Sequence, residues 1–285
     1  EAGTTAKAVV ADGSAGCRRH RPTPMTRLRA PVRGLFVTGT DTGVGKTLVA
    51  SGLAAWCRMQ GVDVGVMKPI ATGVTRGISS DARILAHAAS VDDPWPLINP
   101  ICYREPLAPY VAACRGHHPV RFPAIVRAFQ ELSQRHDFLL VEGIGGLLVP
   151  LSRRATVVDV IRLLGLPALI VSRRRLGTLN HTLLTVEHAR RAGLIVAGVA
   201  LNAADPPAAD RNTRLAERTN PAALQACLPV PLVGNLGRLA SGENGLPSPR
   251  RLAGWIEKGM SPGFLRWLRR GGARHYSDGV RPLTL

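Results

Sequence analysis

A chain of 285 residues can bury a full core, as one large α/β domain or two small ones. Its formal net charge of +18 suggests nucleic acid, but residues 1–33 hold seven Lys/Arg against two acids (+5) and residues 246–285 eight against two (+6); the remaining +7 is scattered arginine, not a basic stripe with interleaved aromatics. Cys17, Cys57, Cys102, Cys114 and Cys227 are odd in number and widely spaced, without a C-x-x-C pair, which argues against a zinc site or disulfide framework and for a reducing, cytoplasmic compartment.

Residues 1–30 are rich in Ala, Arg, Gly and Pro, with no clear period. Met25 stands shortly before the first strand, so a start there would make the earlier residues an upstream extension. An Arg-rich transit peptide is the alternative, and the missing amphipathic face opposes it. From residue 34 strands and helices alternate. A strand over 35–38 runs into Gly39-Thr40-Asp41-Thr42-Gly43-Val44-Gly45-Lys46-Thr47, and a helix follows over 46–60. That is the layout of a phosphate-binding loop. Backbone N–H groups of such a loop face the phosphates, its lysine reaches the β/γ-phosphates and its Thr hydroxyl sits on Mg²⁺. The helix adds its positive N-terminal end. Gly43, Val44, Gly45, Lys46, Thr47 and Leu48 are therefore the expected nucleotide contacts. The spacing is unusual, since five residues rather than four separate Gly39 from Gly45.

The next strand, 62–67, ends at Lys68-Pro69, where the proline blocks continuation. A helix over 81–89 has Ser79 or Ser80 as its cap, and the proline-bearing stretch 99–116 reads mainly as loop. A helix over 123–134 precedes a buried strand at 138–141. The apolar run 138–151 falls short of the ~18–20 residues that span a bilayer. Then come helix 157–164, strand 168–171, helix 180–192, strand 196–201, a helix around 210–227 and strand 230–233. The alternation predicts a mostly parallel sheet with helices on both faces, P-loop NTPase-like.

Ligands of such sheets bind beyond the carboxyl ends of the strands. Lys68, Glu142, Asn202 and Gly234 are read as strand ends, so a lysine, a carboxylate and an amide converge beside the phosphate loop. Mg²⁺ takes oxygen ligands, typically one or two carboxylates with phosphate and water. Thr47, Glu142 and one further acid would serve, and Asp81 is the best candidate for that acid.

At this point the residues carry a family resemblance. The loop 39–47 with its five-residue spacing, Lys68-Pro69-Ile70-Ala71-Thr72-Gly73, and Val141-Glu142-Gly143-Ile144-Gly145-Gly146-Leu147-Leu148-Val149-Pro150-Leu151 resemble motifs of the dethiobiotin synthase family. So do Leu176-Gly177-Thr178-Leu179-Asn180-His181 and Glu105-Pro106 with Pro109, all in the family's order over roughly 34–245. The resemblance implies a Mg²⁺- and ATP-dependent ligase of biotin synthesis. It would close the ureido ring of dethiobiotin from 7,8-diaminononanoate and CO₂: a carbamate forms on one amine, takes the γ-phosphoryl group, and is attacked by the second amine.

By the same resemblance Lys46 and Lys68 are catalytic, and Thr47, Asp81 and Glu142 hold Mg²⁺. Gly143, Ile144 and Gly145 line the nucleotide, while Asn202 and Ala203 meet the adenine. Thr42 and Thr72 face the diamine. Leu176, Gly177 and Asn180 supply a site for its carboxylate across a homodimer interface. Leu236-Gly237 stands where the family has Ile-Pro, Glu243 is the candidate acid for the ribose, and Arg173-Arg174-Arg175 is unusually basic. The domain expected is 34–245, between basic extensions at 1–33 and 246–285; the second has a short helix near 251–258 and poor order beyond. A partitioning-type P-loop ATPase is the alternative reading, but it would carry a second lysine where Thr40, Asp41 and Thr42 stand. An amidotransferase-linked ligase would need a glutaminase domain, for which too few residues follow Gly234.

Overall fold

A computed structural model describes residues 32–75, 77–205, 210–239 and 247–272. The expected upstream extension with Met25, as well as Glu243 and residues 273–285, lie outside the described residues. The first half comprises β1 (Gly34–Gly39), α1 (Lys46–Met59), β2 (Val64–Met67), β3 (Ile70–Ala71), α2 (Ser80–Ala89), α3 (Trp95–Ile98), β4 (Ile101–Cys102), α4 (Pro109–Arg115) and α5 (Phe122–Arg135). The second half comprises β5 (Phe138–Gly146), α6 (Val157–Leu164), β6 (Ala168–Arg173), α7 (Thr178–Arg191), β7 (Val196–Asn202), α8 (Arg211–Cys227), β8 (Leu232–Leu236), α9 (Pro249–Gly259) and α10 (Pro262–Arg269). Among the described residues no helix is long and apolar enough to cross a membrane.

Six strands form one parallel sheet in the order β2-β5-β1-β6-β7-β8, and β3 and β4 pair separately. The strands read as continuous apolar runs because successive side chains enter opposite layers, both of them buried. Leu35, Val37, Leu140, Leu169 and Val171 point into the layer that holds α1, α2, α9 and α10. Phe36, Leu139, Val141, Ile170 and Leu201 point into the layer that holds α4 to α8. The sheet is thus a partition between two cores, with the loop after β1 at its middle.

The structure departs from the sequence reading in several places. The stretch 99–116, read mainly as loop, contains β4 and α4; Pro109 stands at the first position of α4, where its missing N–H is no loss. Strand β5 does not stop at residue 141 but runs on through Glu142 to Gly146, with Glu142 opposite Val37 of β1. Gly143 permits this: a Cβ there would lie 2.7 Å from the Phe36 ring. Gly234 likewise lies inside β8 rather than at its end.

The C-terminal segment is ordered past residue 258 and joins the main core. Leu252 and Ile256 of α9 and Phe264 and Leu268 of α10 are fully buried in the layer around α1. Gly52 of α1 lets α9 approach closely, since a Cβ there would be 2.6 Å from Ile256 Cγ1. Ser248 and Ser261 cap these helices by accepting from Arg251 and Phe264 N–H, each followed by a proline in the first helical turn.

Candidate functional site

The loop between β1 and α1 turns on two glycines with left-handed backbones, Gly43 at φ 73° and Gly45 at φ 87°, where a β-carbon is strained. At Gly45 a side chain would also collide with the Asn202 amide. Val44 between them is buried and anchors the loop. No acidic residue stands in the first turn of α1, so its unpaired N–H groups present positive potential to the loop. Lys46 folds back across the loop and donates from Nζ to the Asp41 carbonyl at 2.9 Å. Burial, with the Lys68 charge behind it, lowers its pKa to about 8.

Beside the loop stands a charged cluster. Thr47 Oγ1 donates to Glu142 Oε1 at 2.8 Å, and Lys68 Nζ donates to the same oxygen at 2.6 Å and to the Gly143 carbonyl at 3.1 Å. Lys68 also pairs with Asp81 Oδ2 at 2.8 Å. Lys68 is 3% exposed and Glu142 1%, whereas the Asp81 side chain is 38% exposed. Burial alone would strip the charge from Lys68, but Glu142 and Asp81 outweigh it and raise its pKa above the ordinary lysine value. Burial also pushes the Glu142 carboxyl up against the pull of Lys68. The two hydrogen bonds accepted by one oxygen are those of a carboxylate, and the pair is assigned as ionised.

The donors fit a hard divalent cation. Glu142 Oε2 is buried without a hydrogen-bond partner, and Thr47 Oγ1 and Asp81 Oδ2 complete an all-oxygen set of the kind Mg²⁺ takes. The Lys68 ammonium already places positive charge between the two carboxylates. Among the described residues no group of three or more His, Cys, Asp and Glu gathers as a metal site, so phosphate and water would fill the remaining positions.

Other expected residues flank this centre. Gly143, Ile144 and Gly145 form the tail of β5, and a Cβ on Gly145 would stand 3.6 Å from Thr42 Oγ1 at the exposed crest of the loop. Thr72 is half-buried just after β3, and Gly73 beside it packs on Pro106 and donates its N–H to the Glu105 carbonyl. Asn202, at the end of β7, is buried; its Nδ2 donates to the Val44 carbonyl at 3.0 Å, and its Oδ1 has no partner. Ala203 donates its N–H to the Leu236 carbonyl. Leu176, Gly177 and Asn180 lie on the surface at the start of α7, with Leu176 76% exposed.

Sequence reasoning missed several contacts. Arg173 Nη2 donates to the Thr42 carbonyl at 2.7 Å, which ties the basic run to the loop's crest. Asn220 of α8 donates to the Arg174 and Arg175 carbonyls and pins the same run from below. A buried hydroxyl group, Ser172 with Thr178 at 2.8 Å and Thr182 at 2.7 Å, reaches Thr40 at 3.3 Å. Asn99, in the stretch read as loop, donates to the Lys68 carbonyl. An Asn before a proline reads as turn chemistry, and no local signal distinguishes these polar residues from surface ones.

A glycine loop closing on Lys46 and Thr47 at a helix start, with a strand carboxylate bonded to that threonine, defines a nucleotide-binding protein of the P-loop class; residues 33–244 match the AAA domain family. The chain is 41% identical over 217 residues to the ATP-dependent dethiobiotin synthetase BioD of Bacillus velezensis, covering 75% of this chain and 91% of that protein. It is 49% identical over 175 residues to the enzyme of that name from Anaeromyxobacter dehalogenans, covering 61% and 78%. To that of Thermodesulfovibrio yellowstonii it is 41% identical over 214 residues, covering 71% and 88%. The chain belongs to the ATP-dependent dethiobiotin synthetase family.

Proposed function

We propose that the chain carries out its family's reaction by joining CO₂ to both amines of 7,8-diaminononanoate at the expense of ATP. The observation that carries this reading is the buried Lys68 held between Asp81 and Glu142, directly beside the Thr47 hydroxyl of the phosphate loop. A carbamate, formed when one amine adds to CO₂ and loses a proton, is an oxyanion that needs a fixed cation close to the γ-phosphate, and Lys68 supplies one.

In the first transfer a carbamate oxygen attacks the γ-phosphorus and the bond to the bridging oxygen breaks, its electron pair leaving with ADP. Loop N–H groups and Lys46 hold the phosphates in line, and preorganised donors of this kind act where charge develops. Thr47, Asp81 and Glu142 would hold Mg²⁺, which supplies charge neutralisation on the phosphate oxygens. In the second transfer the other amine attacks the anhydride carbon, the carbon–oxygen bond to phosphate breaks, and phosphate leaves as the amine loses its proton. Thr42, beside Gly145, and Thr72, just after β3, are assigned to orient the diamine. Asn202 Oδ1, buried and unpartnered, is assigned to accept from the adenine amino group, with Ala203 beside it.

Leu176, Gly177 and Asn180 are assigned to bind the diamine's carboxylate for a second copy of the chain. Support comes from their exposure and from the start of α7, whose N–H groups suit an anion. Leu176 and Leu184, both exposed, offer apolar surface on the same segment. The test is direct. Purified protein incubated with diaminononanoate, bicarbonate, Mg²⁺ and ATP is expected to yield dethiobiotin and phosphate by mass spectrometry and phosphate release. ATP hydrolysis without dethiobiotin would leave a nucleotide switch in its place.

A further inference from the structure

Asn99 lies between α3 and β4 and is 6% exposed. Its Nδ2 donates to the Lys68 carbonyl at 2.7 Å and, more weakly, to the Ile101 carbonyl at 3.5 Å. Its Oδ1 accepts from the Ser79 N–H at 3.3 Å and from Cys102 Sγ at 3.1 Å. Two carbonyls on one side and an N–H on the other fix which end of the amide is nitrogen. The adjoining Ile98 carbonyl accepts the Lys68 N–H at 2.6 Å. Residues 98 and 99 therefore hold both main-chain polar groups of Lys68, where Pro69 ends the possibility of further ladder bonds.

Ser79, the other end of this link, caps α2: its Oγ accepts from Ala82 N–H, and Asp81 sits in the first turn of that helix. One buried amide thus joins the backbone of the lysine to the cap of the helix that carries its carboxylate partner. We propose that Asn99 is a positioning residue for the reaction, setting where Lys68 Nζ stands relative to Asp81 and Glu142; this rests on the ligase reading above. The Asn99 hydrogen bonds go to Lys68, Ser79, Ile101 and Cys102, away from the phosphate loop. Its loss should therefore act on turnover rather than on nucleotide affinity. A displacement of about 1 Å at a reacting group costs on the order of 10²-fold in rate.

The test is Asn99→Asp in the full chain, which keeps the volume and the Oδ1 acceptor but turns an oxygen toward the Lys68 carbonyl. At a temperature below its unfolding midpoint it is expected to lose roughly 10–100-fold in kcat while KM for ATP stays within about threefold. If Asn99→Asp does not fold, Asn99→Ala, which removes the amide donor without adding charge, carries the same expectation. A folded variant with unchanged kcat overturns the proposal, as does a loss of ATP affinity equal to the loss of kcat, which would mark a general structural role. Lys68→Ala measured alongside separates the two readings. Normal turnover in Lys68→Ala removes the ligase role of the lysine, whereas collapse there with a fully active Asn99→Asp removes only the positioning role.

Discussion

Replacing Lys68 by alanine tests both the chemistry and the electrostatics of the site. The ammonium lies 2.6 Å from Glu142 Oε1, and Glu142 is 1% exposed. Its removal leaves that carboxylate buried with only Thr47 as donor. Breaking a buried pair from one side typically costs about 3–5 kcal/mol, and Asp81, with its side chain 38% exposed, adds little to this. At about 2–4 °C per kcal/mol the unfolding midpoint should fall by roughly 6–20 °C at neutral pH. The cost depends on pH in a definite direction. Without Lys68 the Glu142 carboxyl is raised further by burial, so its folded pKa lies above its unfolded one. Protonated Glu142 is then compatible with the fold, and that stability is present at low pH and lost as pH rises through the folded pKa. Lys68→Ala should therefore be least destabilised near pH 5 and most near pH 8, by urea denaturation against wild type at both. Adding Glu142→Gln should return most of the stability at pH 8 while turnover stays at least ~100-fold down. Equal destabilisation at both pH values, or near-normal turnover, would refute the ion-pair reasoning.

Lys46→Ala should lose at least ~100-fold in turnover. In wild type, ATP affinity measured by calorimetry should weaken as pH rises past 8, because the lysine's pKa of about 8 leaves it neutral there, and Lys46→Ala should lack that slope. Ile256→Ala should cost about 2–5 kcal/mol by chemical denaturation, since the side chain is fully buried against α1; a cost near zero would detach α9 from the core. His136 lies 2.9 Å from Asp63 and 2.7 Å from Asp93. Burial works to lower its pKa, but the two aspartates raise it, so its contribution to stability is full below pH ~6.5 and fades as pH rises through the folded value. His136→Gln should flatten that part of the stability profile. For the proposed dimer, mixing Asn180→Asp with Lys68→Ala should restore up to about half of wild-type activity per mixed dimer, because one composite site is then sound. Verified subunit exchange without recovery would place the carboxylate pocket within one chain.

The phosphate loop, Lys68 and Glu142 were legible in the sequence because their geometry is written locally. A strand entering left-handed glycines and then a helix fixes where Lys46 and Thr47 point, and a proline after Lys68 ends β2 there. Helix α2 was legible from its serine cap, and with it Asp81. What escaped depends on contacts between distant parts of the chain. Strand β5 continues past residue 141 only because Gly143 fits under Phe36 of β1. Helix α4 is short, and Ala112 and Ala113 gain their burial from the core around Ile101 and Tyr103 rather than from a strong pattern of their own. Helix α9 was read at 251–258 but not its burial, and α10 was obscured by arginines on its outer face, although Phe264 and Leu268 keep helical spacing. Asn99 braces residues 31 and 20 positions away, which no window of sequence contains.

The seating of Ile256 against Gly52 has a consequence for the order of events at the ribosome. Helix α1, which carries the nucleotide loop on its first turn, is made well before α9, so the surface around Gly52 waits for a partner encoded far downstream in the chain. Strand β5, which must slip between β2 and β1, is itself made only after both. A growing chain therefore holds an uncovered apolar groove along α1 until α9 emerges, the kind of exposure that chaperones recognise and that leads to aggregation when synthesis stalls. Nonsense mutations between residues 203 and 249 should thus leave Lys46, Thr47, Lys68, Asp81, Glu142 and Asn202 all encoded and still give a chain that does not reach the stable fold.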